Sequence, residues 1–439
     1  MAVNWLRNLA SRRSVPVFPV LGVQGDKALR HLTLSPDIEL VDSPRHASVL
    51  LVAGEIPADR FEPLRRVHDQ LPYPFTTLWF RCEPWPHLEN VTRIDDLDVL
   101  PAALVTAYHE LMEGRRESSP RILLDKPPNP WEGAGDFGQG GEGMMGGVPY
   151  GRPMAMNMED DIRDGLTLDS LTFRLGPFFF AFPPGMAAEI TLQGDLVQTW
   201  KTQRAPYPQS LDPVFFAARK RLVPIAALEL ARARHHLYRL FHALHLAGLE
   251  SASLSALRLA NNLSTTSTLD GLRRYLSRSG FFRLAAIKGG ELGPEQARRI
   301  GGPAARAAGL DEDLRSDDAG YRRLGFSPVC QASGDTRARW RQVLAEIDQS
   351  LQLARQAERD DVSTSEVDRI ETPRGPWLEK RPEDASALLD EILPGQEWGD
   401  ALATIASLDV AAVAEAPLDT QTTGESPITE LSDDEGGPA

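Results

Sequence analysis

Ser43-Pro-Arg-His-Ala-Ser-Val-Leu-Leu-Val-Ala-Gly54 decides the fold of the first part of the chain. Its residues 48–52 form an apolar run of strand length, rich in β-branched side chains and closed by a glycine. Runs of the same kind lie at 15–23, 38–41 and 76–80. Between them sit helical patterns at 26–34, 60–71 and 101–112. Strands alternating with short helices predict a parallel sheet with helices on both faces. The first domain, residues 1–112, therefore reads as an α/β, flavodoxin-like unit. Short βα units leave a ligand crevice at the ends of the strands.

The composition changes after this unit. Prolines 120, 127, 128 and 130 precede a glycine-rich run at 133–147, so residues 113–165 read as a Pro/Gly-rich linker. Glycines can let backbone N–H groups face a phosphate, but no strand precedes this run, no helix follows it, and it has no Gly-Lys-Ser/Thr element. The second domain, 166–415, is α+β and mainly helical. Strands are expected at 168–175 and 189–198, the latter turning at Gly194-Asp195. Long amphipathic helices are expected at 224–247, 251–263, 268–277 and 335–359. Residues 416–439 read as a disordered acidic tail, since 417–439 hold six acidic residues and no Lys or Arg.

Charge and composition narrow the function. The net charge of −15 argues against a nucleic-acid partner, which needs a basic face. No run of eighteen apolar residues spans a membrane. Residues 1–13 mix Trp5, Leu6 and Leu9 with Arg7, Arg12 and Arg13, and lack the apolar core and cleavage site of a signal peptide. They read as a solvated turn, with a short membrane-surface element as the alternative. Two cysteines, Cys82 and Cys330, make no disulfide framework and suit a reducing cytoplasm.

One helix is rich in histidine. In Ala231-Arg-Ala-Arg-His-His-Leu-Tyr-Arg-Leu-Phe-His-Ala-Leu-His-Leu-Ala-Gly248, helical spacing puts His235, Tyr238, His242 and His245 on one face. No carboxylate or thiolate stands at ligand spacing on that face, so the pattern reads as helix packing with polar tips rather than a metal site.

The 43–54 segment, followed by Val67-His-Asp-Gln-Leu-Pro72, resembles the cluster-bearing small subunit of respiratory complex I and of membrane-bound NiFe hydrogenases. Later stretches resemble the large subunit of the same enzymes. Gly176-Pro-Phe-Phe-Phe-Ala-Phe-Pro-Pro-Gly185 looks like that subunit's N-terminal hairpin, and the 231–248 stretch like its central helix. Ala308 to Tyr321, Gly334-Asp335 and Ile347-Asp-Gln-Ser-Leu351 follow it in order. Glu371-Thr-Pro-Arg-Gly375 and Ser407-Leu-Asp409 follow in turn.

The resemblance implies cofactor sites that these residues do not supply. Phe179 stands where the hairpin histidine that reaches the quinone would be, and a phenyl ring offers no hydrogen bond. The hairpin's second histidine falls near Phe182 or Pro183. The four ligands of an iron–sulfur cluster fall at Val23, Asp26, Cys82 and about Leu100, which provide one thiolate where four are needed. Val410 stands where a nickel–iron cysteine would follow the aspartate.

Two functions follow as expectations. The first is a scaffold or coupling subunit of a membrane-associated NADH-quinone oxidoreductase-like complex, without its own iron–sulfur or NiFe cofactor. It would sit on the cytoplasmic face of the membrane beside complex I-like or antiporter-like membrane subunits. The second is a redox subunit binding a quinone or NAD(H) between its two domains, with Phe178, Phe179, Phe180 and Phe182 lining the pocket. Whether the chain is an enzyme stays open between them. No Ser/His/Asp triad or P-loop supports an unrelated enzyme.

Overall fold

A computed structural model describes residues 13–85, 91–118, 157–160, 162, 165–284, 289–367, 369–377 and 386–414. The basic N-terminal stretch, the glycine-rich run and the acidic tail lie outside the described residues.

Five parallel strands form the first sheet: β1 (Val15–Leu21), β2 (Ile38–Leu40), β3 (Val49–Ala53), β4 (Thr76–Phe80) and β5 (Val91–Ile94). Their order is β2-β1-β3-β4-β5. Helices α1 (Asp26–Thr33), α2 (Phe61–His68) and α3 (Leu100–Met112) cover it. Every residue of β3 and β4 is buried, which is the reason their sequences run apolar without alternating. Successive side chains point to opposite faces. Val17, Val49, Leu51 and Leu78 pack with Leu32 of α1 and Leu104 of α3 on one face. Phe18, Leu50, Val52 and Trp79 pack with Leu64 of α2 on the other. The edge strand β5, Val-Thr-Arg-Ile, is too short and too polar to show in the sequence pattern.

The second unit begins with an antiparallel sheet, β6 (Asn157–Asp160), β7 (Thr167–Leu175), β8 (Ala187–Gln193) and β9 (Leu196–Arg204). The linker expected over 113–165 therefore ends early. Residues 157–160 pair with β7 through backbone hydrogen bonds, which need no apolar pattern. Gly194, with φ of +62°, makes the turn between β8 and β9.

Besides the one-turn helix Phe281–Leu284, the helices are α4 (Pro213–Ala218), α5 (Ile225–Leu246), α6 (Glu250–Asn261), α7 (Asp270–Ser279), α8 (Pro294–Ile300), α9 (Gly302–Ala307), α10 (Ala319–Arg323), α11 (Thr336–Asp360), α12 (Ala387–Ile392) and α13 (Trp398–Leu408). Between α11 and α12 lies a two-residue ladder of β10 (Glu371–Thr372) and β11 (Gly375–Pro376). Ala233, Leu237, Leu240 and Leu244 recur at helical spacing on α5. They meet Val343, Ile347 and Leu351 of α11 and Ala252 and Ala256 of α6. Truncating one of these leucines to alanine would cost about 2–5 kcal/mol. Asp335 starts α11 by accepting from the Ala338 N–H at 2.6 Å.

The helical unit also encloses charge. Arg306 of α9 donates to Glu346 of α11 at 2.8 and 3.1 Å and to Glu371 of β10 at 2.9 Å, and lies 3.0 Å from Asp313. Arg315 joins Asp313 to Glu229 of α5, which also accepts from Tyr321 at 2.6 Å and Ser350 at 2.7 Å. Arg232 completes the group by donating to the Thr372 and Glu371 carbonyls. These side chains are 3% exposed or less, so each charge depends on its partners rather than on water.

Candidate functional site

The two units meet through named side chains. Asp59 pairs with Arg204, and the Arg30 guanidinium lies 4.2 Å from the centre of the Tyr238 ring. His245 Nε2 is 3.6 Å from Asp42 Oδ1, and its Nδ1 is 2.9 Å from Glu250. Leu34 packs on the helical core, and Phe178 packs on the core formed by Trp79 and Leu64. Between the units lies a cavity of about 780 Å³. A volume of that size suits a cofactor or a small organic ligand.

Three segments build its walls. The first unit supplies Phe18 and the exposed side of α1. The hairpin approach at 177–184 supplies Phe178, Phe179, Phe180 and Phe182. The α5 face presents His235, Tyr238, His242 and His245, and Asp409 and Val410 close the far end. The aromatic cluster is tight. The Phe179 ring centre lies 5.0 Å from Phe180, 5.1 Å from Phe182 and 6.5 Å from Trp398.

The histidine face expected from helical spacing is thus the face that meets the cavity, while His236 turns inward. Buried and 3.3 Å from Glu346, His236 has its pKa pushed down to about 4 by burial. Burial likewise lowers His242 to about 4. His245 moves the other way, raised first by its bond to Asp42. The carboxylates missing from the helix itself come from elsewhere in the fold: Asp42 after β2, Glu250 at the start of α6, and Asp409 after α13.

His235 and Asp409 form the polar end of the cavity. His235 Nε2 lies 2.9 Å from Asp409 Oδ2. Arg374 binds Asp409 Oδ1 and, at 2.9 Å, its carbonyl, and Arg239 Nε stands 3.4 Å from Oδ2. Burial works to raise the Asp409 carboxyl, but Arg374 and Arg239 outweigh it and hold it well below the ordinary range. Burial lowers His235 in spite of Asp409. In the sequence Asp409 stands out only as the end of the Ser407-Leu-Asp409 motif. Nothing in the local pattern announces a partner 174 residues from His235.

The positions that the resemblance assigns to cofactors separate into two sets. Phe179 and Val410 share the cavity, and so does Asp26. Burial works to raise the Asp26 carboxyl, but Arg30 one turn along its helix overcomes this and keeps it below the ordinary value. The other three lie apart. Val23 is tied by its backbone to Glu55. Cys82 is buried with Trp79 on one face of the sheet, its Sγ 3.6 Å from the Val52 carbonyl, and burial pushes its thiol up to about 12. Leu100 is fully buried in the core of the opposite face. Among the described residues, no group of three or more His, Cys, Asp or Glu side chains is placed to hold a metal ion. No helix among them is long and apolar enough to cross a membrane.

Comparison with known proteins gives a partial match. Residues 264–381 match the family described as respiratory-chain NADH dehydrogenase, 49 Kd subunit. Over 119 residues, 26% of this chain and 29% of the relative, the sequence is 35% identical to an NADH-quinone oxidoreductase subunit of Salinispora arenicola. Over 123 residues, again 26% of this chain and 30% of the relative, it is 34% identical to the protein of the same name in Salinispora tropica. The chain thus spans less than a third of the length of these curated relatives. A chain of the membrane-bound sulfane sulfur reductase, an archaeal respiratory membrane complex, aligns with a TM-score of 0.41 at 15% identity, covering 55% of this chain and 96% of that one. The matched segment holds Arg306, Asp313, Arg315, Glu346 and Glu371 of the buried charge network, whereas the residues lining the cavity lie outside it.

Proposed function

We propose that the chain is a subunit of a membrane-associated complex of the NADH-quinone oxidoreductase kind, a scaffold or coupling subunit without an iron–sulfur or nickel–iron centre of its own. One observation carries this reading. Cys82, the one thiol at an expected cluster position, is packed in an apolar core, and Leu100 occupies the core on the opposite face of the sheet. A four-iron cluster needs four thiolates converging on one point, and these four positions supply one. Val410 in place of a thiolate has the same consequence for a nickel–iron site. The match over 264–381 supports the family, and the β2-β1-β3-β4-β5 order of the first sheet supports its flavodoxin-like reading. The partners would be complex I-like or antiporter-like membrane subunits, with the chain on the inner face of the membrane.

Iron and acid-labile sulfide assays on anaerobically purified protein test this reading, together with an electron paramagnetic resonance spectrum after reduction. Sub-stoichiometric iron and no signal are expected. About four irons per chain with a reduced-cluster spectrum would refute it. Affinity purification from solubilised membranes should recover antiporter-like subunits.

The cavity favours a second reading, in which a quinone binds between the two units. Its volume and aromatic wall suit a flat ring. NAD(H) fits less well. The first βα turn, where a doubly wound sheet takes a pyrophosphate, is filled by protein backbone. A Cβ on Gly25 would stand 2.2 Å from the Ala53 carbonyl, and one on Gly22 2.4 Å from that of Glu55. Those glycines serve close packing of the turn against the end of β3, not the approach of a phosphate.

A further inference from the structure

Phe179 leaves the hairpin with no group to hold a ring oxygen, yet the cavity keeps a polar group on its far wall. His235 presents two nitrogens in different states. Nε2 faces Asp409 Oδ2 at 2.9 Å, and Asp409 is an ionised carboxylate with no proton to give. Nε2 must therefore carry the hydrogen. The ring is held neutral by its burial, so Nδ1 is left with a bare lone pair. Among the described residues Nδ1 makes no hydrogen bond, and the His235 side chain, 17% exposed, lines the cavity.

Three polar groups near His235 on these walls are engaged. The Tyr238 hydroxyl donates to Asn261 at 3.0 Å, Arg234 pairs with Asp212 at 3.0 Å, and Arg30 with Asp26. His242 lies seven residues along α5, about 10 Å away along the axis, out of reach of the same ring oxygen.

We infer that His235, oriented by Asp409, is the polar anchor of the cavity and accepts a hydrogen bond from the hydroxyl of a flat, hydroquinone-class ligand. The inference rests on the second reading above and assigns that site its preference for the reduced form of the ring. A quinone carbonyl is only an acceptor and would meet an acceptor lone pair, so the oxidised form gains no bond there. One hydrogen bond made in one state and left unmade in the other corresponds to about ten-fold in affinity. No electron transfer is required, so the site is compatible with a subunit that carries no cluster.

Asp409 also provides a way to invert the preference. Arg374 donates to Oδ1, so in Asp409→Asn the amide oxygen stays on Arg374 and the NH₂ group turns to His235. The amide then donates to Nε2, the ring hydrogen moves to Nδ1, and the cavity meets a donor instead of an acceptor.

The test is anaerobic equilibrium dialysis of the full chain against decylubiquinol and against decylubiquinone. Thermal unfolding confirms that each variant is folded. The wild type should bind the quinol about ten-fold more tightly. His235→Phe should abolish the difference while the ring is still bound by the aromatic wall. Asp409→Asn should shift the preference toward the quinone, and if that variant does not fold, His235→Phe decides alone. Equal affinity of the wild type for both forms, or a preference that survives in His235→Phe, overturns the role of His235 while leaving the cavity as a ring-binding site. Failure of the wild type to bind either form overturns the second reading and this inference with it.

Discussion

Replacing Arg306 by methionine should unfold the helical unit far more easily than its distance from any surface would suggest. The guanidinium is fully buried and contacts three carboxylates, those of Glu346, Glu371 and Asp313, at 2.8–3.1 Å. Methionine fills most of the volume but leaves those charges without their shared partner. The three are not left equal. Asp313 keeps Arg315 at 2.8 Å, and Glu346 keeps Gln342 at 2.8 Å with His236 at 3.3 Å. Among the described residues Glu371 keeps only the Leu314 N–H as a hydrogen-bond donor, at 3.4 Å, and its pKa is already raised, first by burial and then by Asp313. Glu371 should therefore take up a proton and relieve part of the penalty. The loss is then at the lower end of the range for breaking a buried ion pair, about 3 kcal/mol. For a unit of this size that is roughly 6–12 °C in Tm. Urea unfolding followed by circular dichroism measures it directly. The double variant Arg306→Met/Glu346→Gln should recover about 1 kcal/mol or more, because one orphaned charge is removed. A single variant within about 0.5 kcal/mol of wild type would refute the reasoning, since it would mean that water or rearrangement already compensates these carboxylates.

Further tests follow from titration and packing. His236 is fully buried with a pKa near 4 against about 6.5 in the unfolded chain, so its contribution is complete above pH 6.5 and is lost as pH falls toward 4. The loss is about 3 kcal/mol, and His236→Leu should flatten the acid limb of the urea midpoint against pH. His245 has the opposite sign. Raised by Asp42 and Glu250, it ties the units together below its ordinary pKa and releases them as pH rises through the higher folded value. Wild type should lose stability from pH 6 to 8, and His245→Gln should not. Of the two thiols, exposed Cys330 should react with Ellman's reagent in the folded protein, whereas Cys82 should react only after denaturation; reaction of both in the folded protein would mean that the Cys82 core opens readily. Gly54→Ala should cost about 2 kcal/mol or more by urea unfolding, because φ is +83° and a Cβ would stand 2.2 Å from the Val23 carbonyl.

The sequence by itself located the long and strongly periodic elements. The helix expected over 335–359 is Thr336–Asp360, that over 224–247 is Ile225–Leu246, and the run at 76–80 is β4 itself. These are positions where local periodicity and burial demand the same residues. It also identified the face of α5 that carries His235, Tyr238, His242 and His245, since angular spacing on a helix is a local property. The short edge strands β5 and β6 were not legible, because pairing through backbone groups leaves little trace in side chains. Helices as short as α8, α9 and α12 hold too few turns to show a period. What the histidine face meets was decided only by the tertiary structure. Asp42, Glu250 and Asp409 reach it from three separate elements, and the cavity arises because two units with separate cores close over one another. Hydrogen bonds and charges act through distance in space, and the chain brings residues 235 and 409 within 2.9 Å only after the second unit has folded.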